Sequence, residues 1–110
     1  MTELAKKRCI PCENGAEAYT PDVAGEMMKE LSKDWLLVDD AHLLVKEFRF
    51  ADFAQAMVFA NKVAAIAEEE GHHPDLAIGW GTVSVELTTH AIGGLSENDF
   101  ILAAKIDRIS

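Results

Sequence analysis

Hydrophobic and polar positions recur along this chain with two different periods, and the switches between them mark out seven elements. Thr20-Pro21-Asp22 reads as a helix start, with Thr as N-cap, Pro at the first helical position and an acid in the first turn. That helix is expected to run to about Leu31. "WLLV", Trp35 to Val38, is a short strand, and Asp39-Asp40 supplies a turn. His42 to Phe50 follow as a second strand, with Leu44, Phe48 and Phe50 on one face. The period then lengthens. From Asp52, whose carboxylate can cap while Gln55 reaches back, Phe53, Ala56, Met57, Ala60, Ala64 and Ala67 keep the spacing of one buried helical stripe. Gly71 stands where a left-handed C-terminal cap belongs. Asp75 to Trp80 reads as a third strand, with Gly79 or Gly81 permitting the reversal. "TVSVELTTH" then alternates, placing Val83, Val85 and Leu87 on one face. Ser96 caps a last helix with Asp99 in its first turn, ending near Ile109.

The order is α-β-β-α-β-β-α. Two hairpins separated by a helix predict an α+β domain, a four-stranded antiparallel sheet with helices packed on one face. Residues 1–19 read as an N-terminal arm with little periodic structure, and residues 20–110 as a single domain.

Composition narrows the partners. A formal net charge of −9 argues against a phosphate-backbone ligand, because such binding is driven by Lys and Arg releasing counterions. Lys6-Lys7-Arg8 is too small a basic cluster to reverse that, so no direct nucleic-acid binding is expected. No apolar run approaches the roughly 20 residues that span a bilayer. The start, "MTELAKKRC", carries charge with no apolar segment behind it. A cytoplasmic protein without a membrane partner is the expectation. Cys9 and Cys12 form a C-x-x-C, but no apolar strand precedes it and no second cysteine pair exists. Two reduced thiols in the arm are expected.

The candidate chemistry lies in "EEEGHHPDLAIGW", Glu68 to Trp80, which holds two of the four histidines. Glu68 and His72 are four apart across the helix end, so Glu68 can face the His72 side. Pro74 forces His73 toward extended backbone, where neighbouring side chains point in opposite directions. His90 lies just past the fourth strand, on the edge that also brings His72 and His73, and Asp99 is positioned to orient it. Bland readings compete. Glu69 and Glu70 read as a solvated helix end, although carboxylates there oppose the macrodipole. Asp99 can be only a first-turn acid, His42 an exposed residue without a role, and Trp35 and Trp80 core or sheet-face residues. Adjacent histidines followed by proline are a poor chelating pattern. Histidines near carboxylates suit acid-base work at neutral pH. The residues themselves indicate a proton-transfer or small-ligand site without a metal, and no substrate.

The pattern Glu68-x-x-x-His72-His73-Pro74, then Trp80, His90 and Asp99 at their spacings, resembles the pterin-4a-carbinolamine dehydratases. Trp35 and "FRFADFAQAMVFANKVA" also look like that family's strand and long helix, so the resemblance covers roughly residues 20 to 109. It implies dehydration of a 4a-hydroxytetrahydropterin to quinonoid dihydropterin, in tetrahydropterin recycling, with no metal or organic cofactor. It also implies a homodimer or homotetramer joined through sheet edges. By resemblance His72, His73 and His90 are catalytic, Glu68 and Asp99 tune or orient them, and Trp35 lines or supports the site. Gly71, Thr88 and Thr89 would join the three histidines in binding substrate, the threonines through backbone groups at a strand end. Some relatives carry a polar side chain where this chain has Gly71. The alternative within the same fold is a non-enzymatic binding, assembly or coactivator protein. Such members can lose catalytic histidines, and this chain keeps them all.

Overall fold

A computed structural model describes residues 4–10 and 17–110 of the chain. The expected element order is observed: α1 (Pro21–Met28), β1 (Leu36–Val38), β2 (Leu43–Arg49), α2 (Phe53–Glu70), β3 (Asp75–Ile78), β4 (Thr82–Leu87) and α3 (Glu97–Ile109). Short 3-10 turns add Leu4–Lys6 and His90–Ile92. The four strands form one antiparallel sheet in the order β1-β2-β4-β3. The register sets Leu44 opposite Leu87, Lys46 opposite Val85 and Phe48 opposite Val83, so these side chains share the face that the helices cover. Glu47, Arg49 and Glu86 are exposed on the other face.

The helix starts follow local chemistry. Thr20 accepts from the Val23 N–H, and Asp52 accepts from the Gln55 N–H at 2.8 Å. For Asp52 only that half of the expected reciprocal pair is formed. Gly71 closes α2 at φ +67°, the left-handed region where a side chain would be strained. Gly81 sits at the β3–β4 turn, where a Cβ would come within 3.0 Å of the Phe50 carbonyl oxygen.

Several boundaries and faces differ from expectation. α1 stops at Met28, and the third strand stops at Ile78, leaving Trp80 exposed in the turn instead of in the core. The buried stripe of α2 is Ala56, Phe59, Ala60, Val63 and Ala67. Phe53 and Ala64 face solvent and Met57 is half-buried, so the helix is rotated from the expected face. The rotation brings Phe59 against Phe48 and Phe50, with ring centroids 4.6 and 5.0 Å apart.

A polar cluster is enclosed beside this core. Lys46 donates to Ser32 Oγ and to Asp107, each at 2.8 Å, and Trp35 Nε1 also donates to Asp107 at 3.0 Å. The Lys46 ammonium lies 4.5 Å from the Phe48 ring centre. This links β2, the Ser32–Trp35 segment and the end of α3.

The described first residues of the arm are packed into the fold. Leu4 and Ala5 are buried in the core, and Lys105 of α3 donates to the Ala5 carbonyl at 3.0 Å. α3, packed against α2 and the Leu4–Lys6 turn, is buried on nearly every side. Cys12 lies outside the described residues, so only Cys9 of the C-x-x-C can be placed.

Candidate active site

The left-handed Gly71 turns the chain back over the end of α2, and Pro74 extends it toward β3. That reversal separates the adjacent histidines. His72 turns inward to the start of α3, where its Nε2 lies 2.6 Å from Asp99 Oδ1. His73 turns outward, and its Nε2 lies 2.5 Å from Glu68 Oε2. The expected pairings are therefore exchanged: Glu68 partners His73, and Asp99 partners His72 instead of His90. The reason is the cap, since a residue five positions on, not four, returns over Glu68 once the chain leaves the helix at Gly71.

Asp99 is fully buried and meets three donors. Besides His72, its Oδ2 accepts from Thr89 Oγ1 at 2.8 Å and from the Ser96 N–H at 2.9 Å. A buried carboxylate must be compensated in this way, because desolvating it unpaired would cost several kcal/mol. The helix-start role and the histidine-holding role of Asp99 coexist in one side chain. His72 itself is only 13% exposed.

His90 opens the 3-10 turn after β4, and its Nε2 lies 4.0 Å from Asp75 Oδ2. Asp75 was not anticipated from sequence. It begins β3 opposite Glu86, near the end of β4 from which His90 emerges, so the hairpin register was the signal that could have found it. His73 and His90 are 59% and 81% exposed, in contrast to His72.

The three histidines line one cleft of about 310 Å³, together with Ile10, Gly71, Thr88, Thr89, Ala91 and Asn98. The Thr89 N–H donates to the Gly94 carbonyl at 2.8 Å and the Gly94 N–H returns the bond at 3.4 Å, so the Thr89 backbone is engaged within the fold. Thr88 Oγ1 donates to the His42 carbonyl at 2.8 Å. Trp35 is in the core with Asp107 and does not line the cleft. His42 lies outside it as well, its Nδ1 against the Asp39 carbonyl. Among the described residues, no three His, Cys, Asp or Glu side chains gather where they could hold a metal ion.

Glu70 departs from the solvated reading. Its side chain is 2% exposed and accepts from the Cys9 N–H at 2.8 Å, with Lys105 and Arg8 alongside. Burial would raise its pKa, but the Cys9 N–H and the two cations outweigh that and hold the carboxyl below its usual range. Those partners also offset the unfavourable end of the helix dipole. Burial, reinforced by Glu70, pushes the neighbouring Cys9 thiol up to about 12. Cys9 is expected to alkylate far more slowly than a free thiol at pH 8, since the thiolate is the nucleophile. Iodoacetamide labelling with fragment mass spectrometry would check this; a rate equal to that of glutathione would contradict it.

The α+β domain thus carries, at its helix and strand ends, a cleft lined by three histidines, each near a carboxylate. Residues 17–109 match the family model described as pterin 4 alpha carbinolamine dehydratase, and the chain belongs to that family. A relative from Rickettsia bellii, provisionally named a pterin-4-alpha-carbinolamine dehydratase, is 50% identical over 94% of this chain and 91% of its own. One from Alkaliphilus metalliredigens with the same provisional name is 43% identical over 98% and 96%. Among solved structures, the chain is similar to a transcriptional coactivator/pterin dehydratase from Brucella melitensis. The TM-score is 0.78 at 31% identity, covering 84% of this chain and 98% of that one. It is also similar to a pterin dehydratase-like RuBisCO assembly factor of the alpha-carboxysome. There the TM-score is 0.60 at 28% identity, covering 69% and 88%. No described helix is long and apolar enough to cross a membrane.

Proposed function

We propose that this protein is a lyase that dehydrates a 4a-hydroxytetrahydropterin to quinonoid dihydropterin and water, using the histidine cleft for acid-base catalysis. The observation that carries the reading is that three imidazoles, each beside its own carboxylate, line a single cleft. The reaction removes the C4a hydroxyl and the N5 proton. The leaving hydroxyl needs a proton donor, the N5–H needs an acceptor, and one water is released. Histidine serves either need near neutral pH.

The unequal environments suggest unequal parts. Asp99 accepts from His72 Nε2–H, which leaves Nδ1 as the ring nitrogen able to take a proton. The buried carboxylate would then stabilise the imidazolium formed. His72 is assigned the base. His73 and His90, exposed and within reach of Glu68 and Asp75, are suited to donate to the leaving hydroxyl and exchange protons with solvent. Thr88 and Gly71 are taken to contact the pterin. The likeness to an assembly factor supports a second reading, a binding protein on this fold.

The test is dehydration of enzymatically generated carbinolamine, before and after exhaustive chelation. Acceleration that survives chelation is expected. No acceleration favours the binding protein, and loss restored only by zinc would overturn acid-base catalysis. The β1 and β3 edges of the sheet, with Leu36 and Val38 exposed on β1, are taken as the association surfaces. Sedimentation at micromolar concentration should give a multiple of the 12.0 kDa chain; a monomer would refute this.

A further inference from the structure

The segment Arg8-Cys9-Ile10 runs directly beside the cleft, held by residues next in sequence to those of the site. Glu70, which receives the Cys9 N–H, is two residues before His72. Asn98, one residue before Asp99, clasps Ile10 on both sides of its peptide. The Ile10 N–H donates to Asn98 Oδ1 at 3.0 Å, and Asn98 Nδ2 donates back to the Ile10 carbonyl at 2.5 Å. The Asn98 carbonyl also lies 3.6 Å from Cys9 Sγ. Further back, Lys7 pairs with Glu97 at 2.8 Å, and Leu4 and Ala5 sit in the core. The polar contacts come from Glu70 at the end of α2, just before His72, and from Glu97 and Asn98 in the first turn of α3, just before Asp99.

Held this way, Ile10 lines the cleft with the three histidines while remaining 69% exposed. An exposed branched aliphatic side chain, clamped through its own backbone at the lip of a polar cleft, is suited to contact an apolar surface of a ligand. The rest of the lining is largely histidine, threonine and asparagine, with Ala91 adding only a methyl group. We propose that the Arg8-Cys9-Ile10 segment forms one wall of the pterin cleft and that Ile10 is a substrate-binding, specificity-determining residue in it. The inference rests on the pterin reading of that cleft. It makes this segment part of the binding site, anchored through Glu70 and Asn98.

Losing the aliphatic contact should weaken ground-state binding without altering the proton-transfer groups. In Ile10→Ser, KM is expected to rise roughly threefold to tenfold with kcat within about twofold, the size expected for partial burial of one aliphatic side chain. Ile10→Val, which keeps a branched aliphatic contact, should raise KM less than Ile10→Ser does. Calorimetric titration with 7,8-dihydropterin, which carries no C4a hydroxyl to lose, gives a readout independent of turnover, and Kd should rise by the same factor. Glu70→Ala, outside the cleft, should release the arm, raising Kd similarly and accelerating alkylation of Cys9. In the Glu70→Ala/Ile10→Ser double variant the Kd effects should not multiply.

If the native protein dehydrates the carbinolamine and Ile10→Ser leaves KM and Kd unchanged, the arm is no part of the site and the inference fails alone. If the native protein is inactive yet binds 7,8-dihydropterin in an Ile10-dependent way, the wall stands and the dehydratase reading falls. If it binds no pterin, both fall.

Discussion

Replacing His72 by alanine is expected to slow carbinolamine dehydration by roughly 10²–10⁴-fold, the range for losing a positioned acid or base. The structure separates this variant from its neighbours. His72 is nearly buried against Asp99, so its loss also strips one of three donors from a fully buried carboxylate. A stability loss of about 1–3 kcal/mol should accompany the rate defect. His73→Ala and His90→Ala remove exposed rings and should stay within about 1–2 kcal/mol of the native protein while losing turnover. Asp99→Asn tests the positioning role. An amide cannot satisfy the same three donors, so His72 would lose its fixed tautomer, and the pH profile of kcat/KM should change shape as well as height. His42→Ala is the control, because its ring is outside the cleft and its carbonyl, the acceptor for Thr88, is retained. Rates and melting temperatures measured together decide the matter. Folded His72, His73 and His90 variants with native rates would mean the cleft is not a reaction centre.

The largest stability effect is expected far from the cleft, at Asp107. Its carboxylate takes the nearly buried Lys46 ammonium, the Trp35 indole N–H and both donors of Ser32. Asp107→Ala would leave that ammonium against Phe48 and Trp35 without a counter-charge. Breaking an enclosed pair from one side costs about 3–5 kcal/mol, and the partial exposure of Asp107 places it near the lower end. Tm should fall by roughly 10–20 °C in a chain of this size. Adding Lys46→Met should recover part of the loss, since the orphaned charge goes with it. A loss below about 1 kcal/mol, or no recovery in the double variant, would show that the cluster is effectively solvated.

What the sequence by itself determined was the order of elements, their caps and the residue types of the site. Alternation in β2 and β4, Pro21 after Thr20, and Gly71 after a long helical run are local signals, enforced by backbone sterics within a few residues. The three histidines were also legible as a group, because β4 ends one residue pair from His90 and α2 ends at Glu70, with only its Gly71 cap before His72. Rotation of α2 about its axis was not legible. The helix carries Phe53, Met57, Val58, Phe59 and Val63 around much of its circumference, and only the sheet it docks on selects Phe59 and Val63 for burial. The pairing of acids with histidines was likewise a tertiary decision. Asp99–His72 and Asp75–His90 join separate segments whose distances depend on the packing of α3 and on the β3–β4 register. Glu68–His73 depends on how a left-handed cap reverses the chain. Nor could Glu70 and Asn98 be distinguished from ordinary helix-end polar residues until the arm lay across them, because a buried carboxylate or amide is defined by partners far away in sequence.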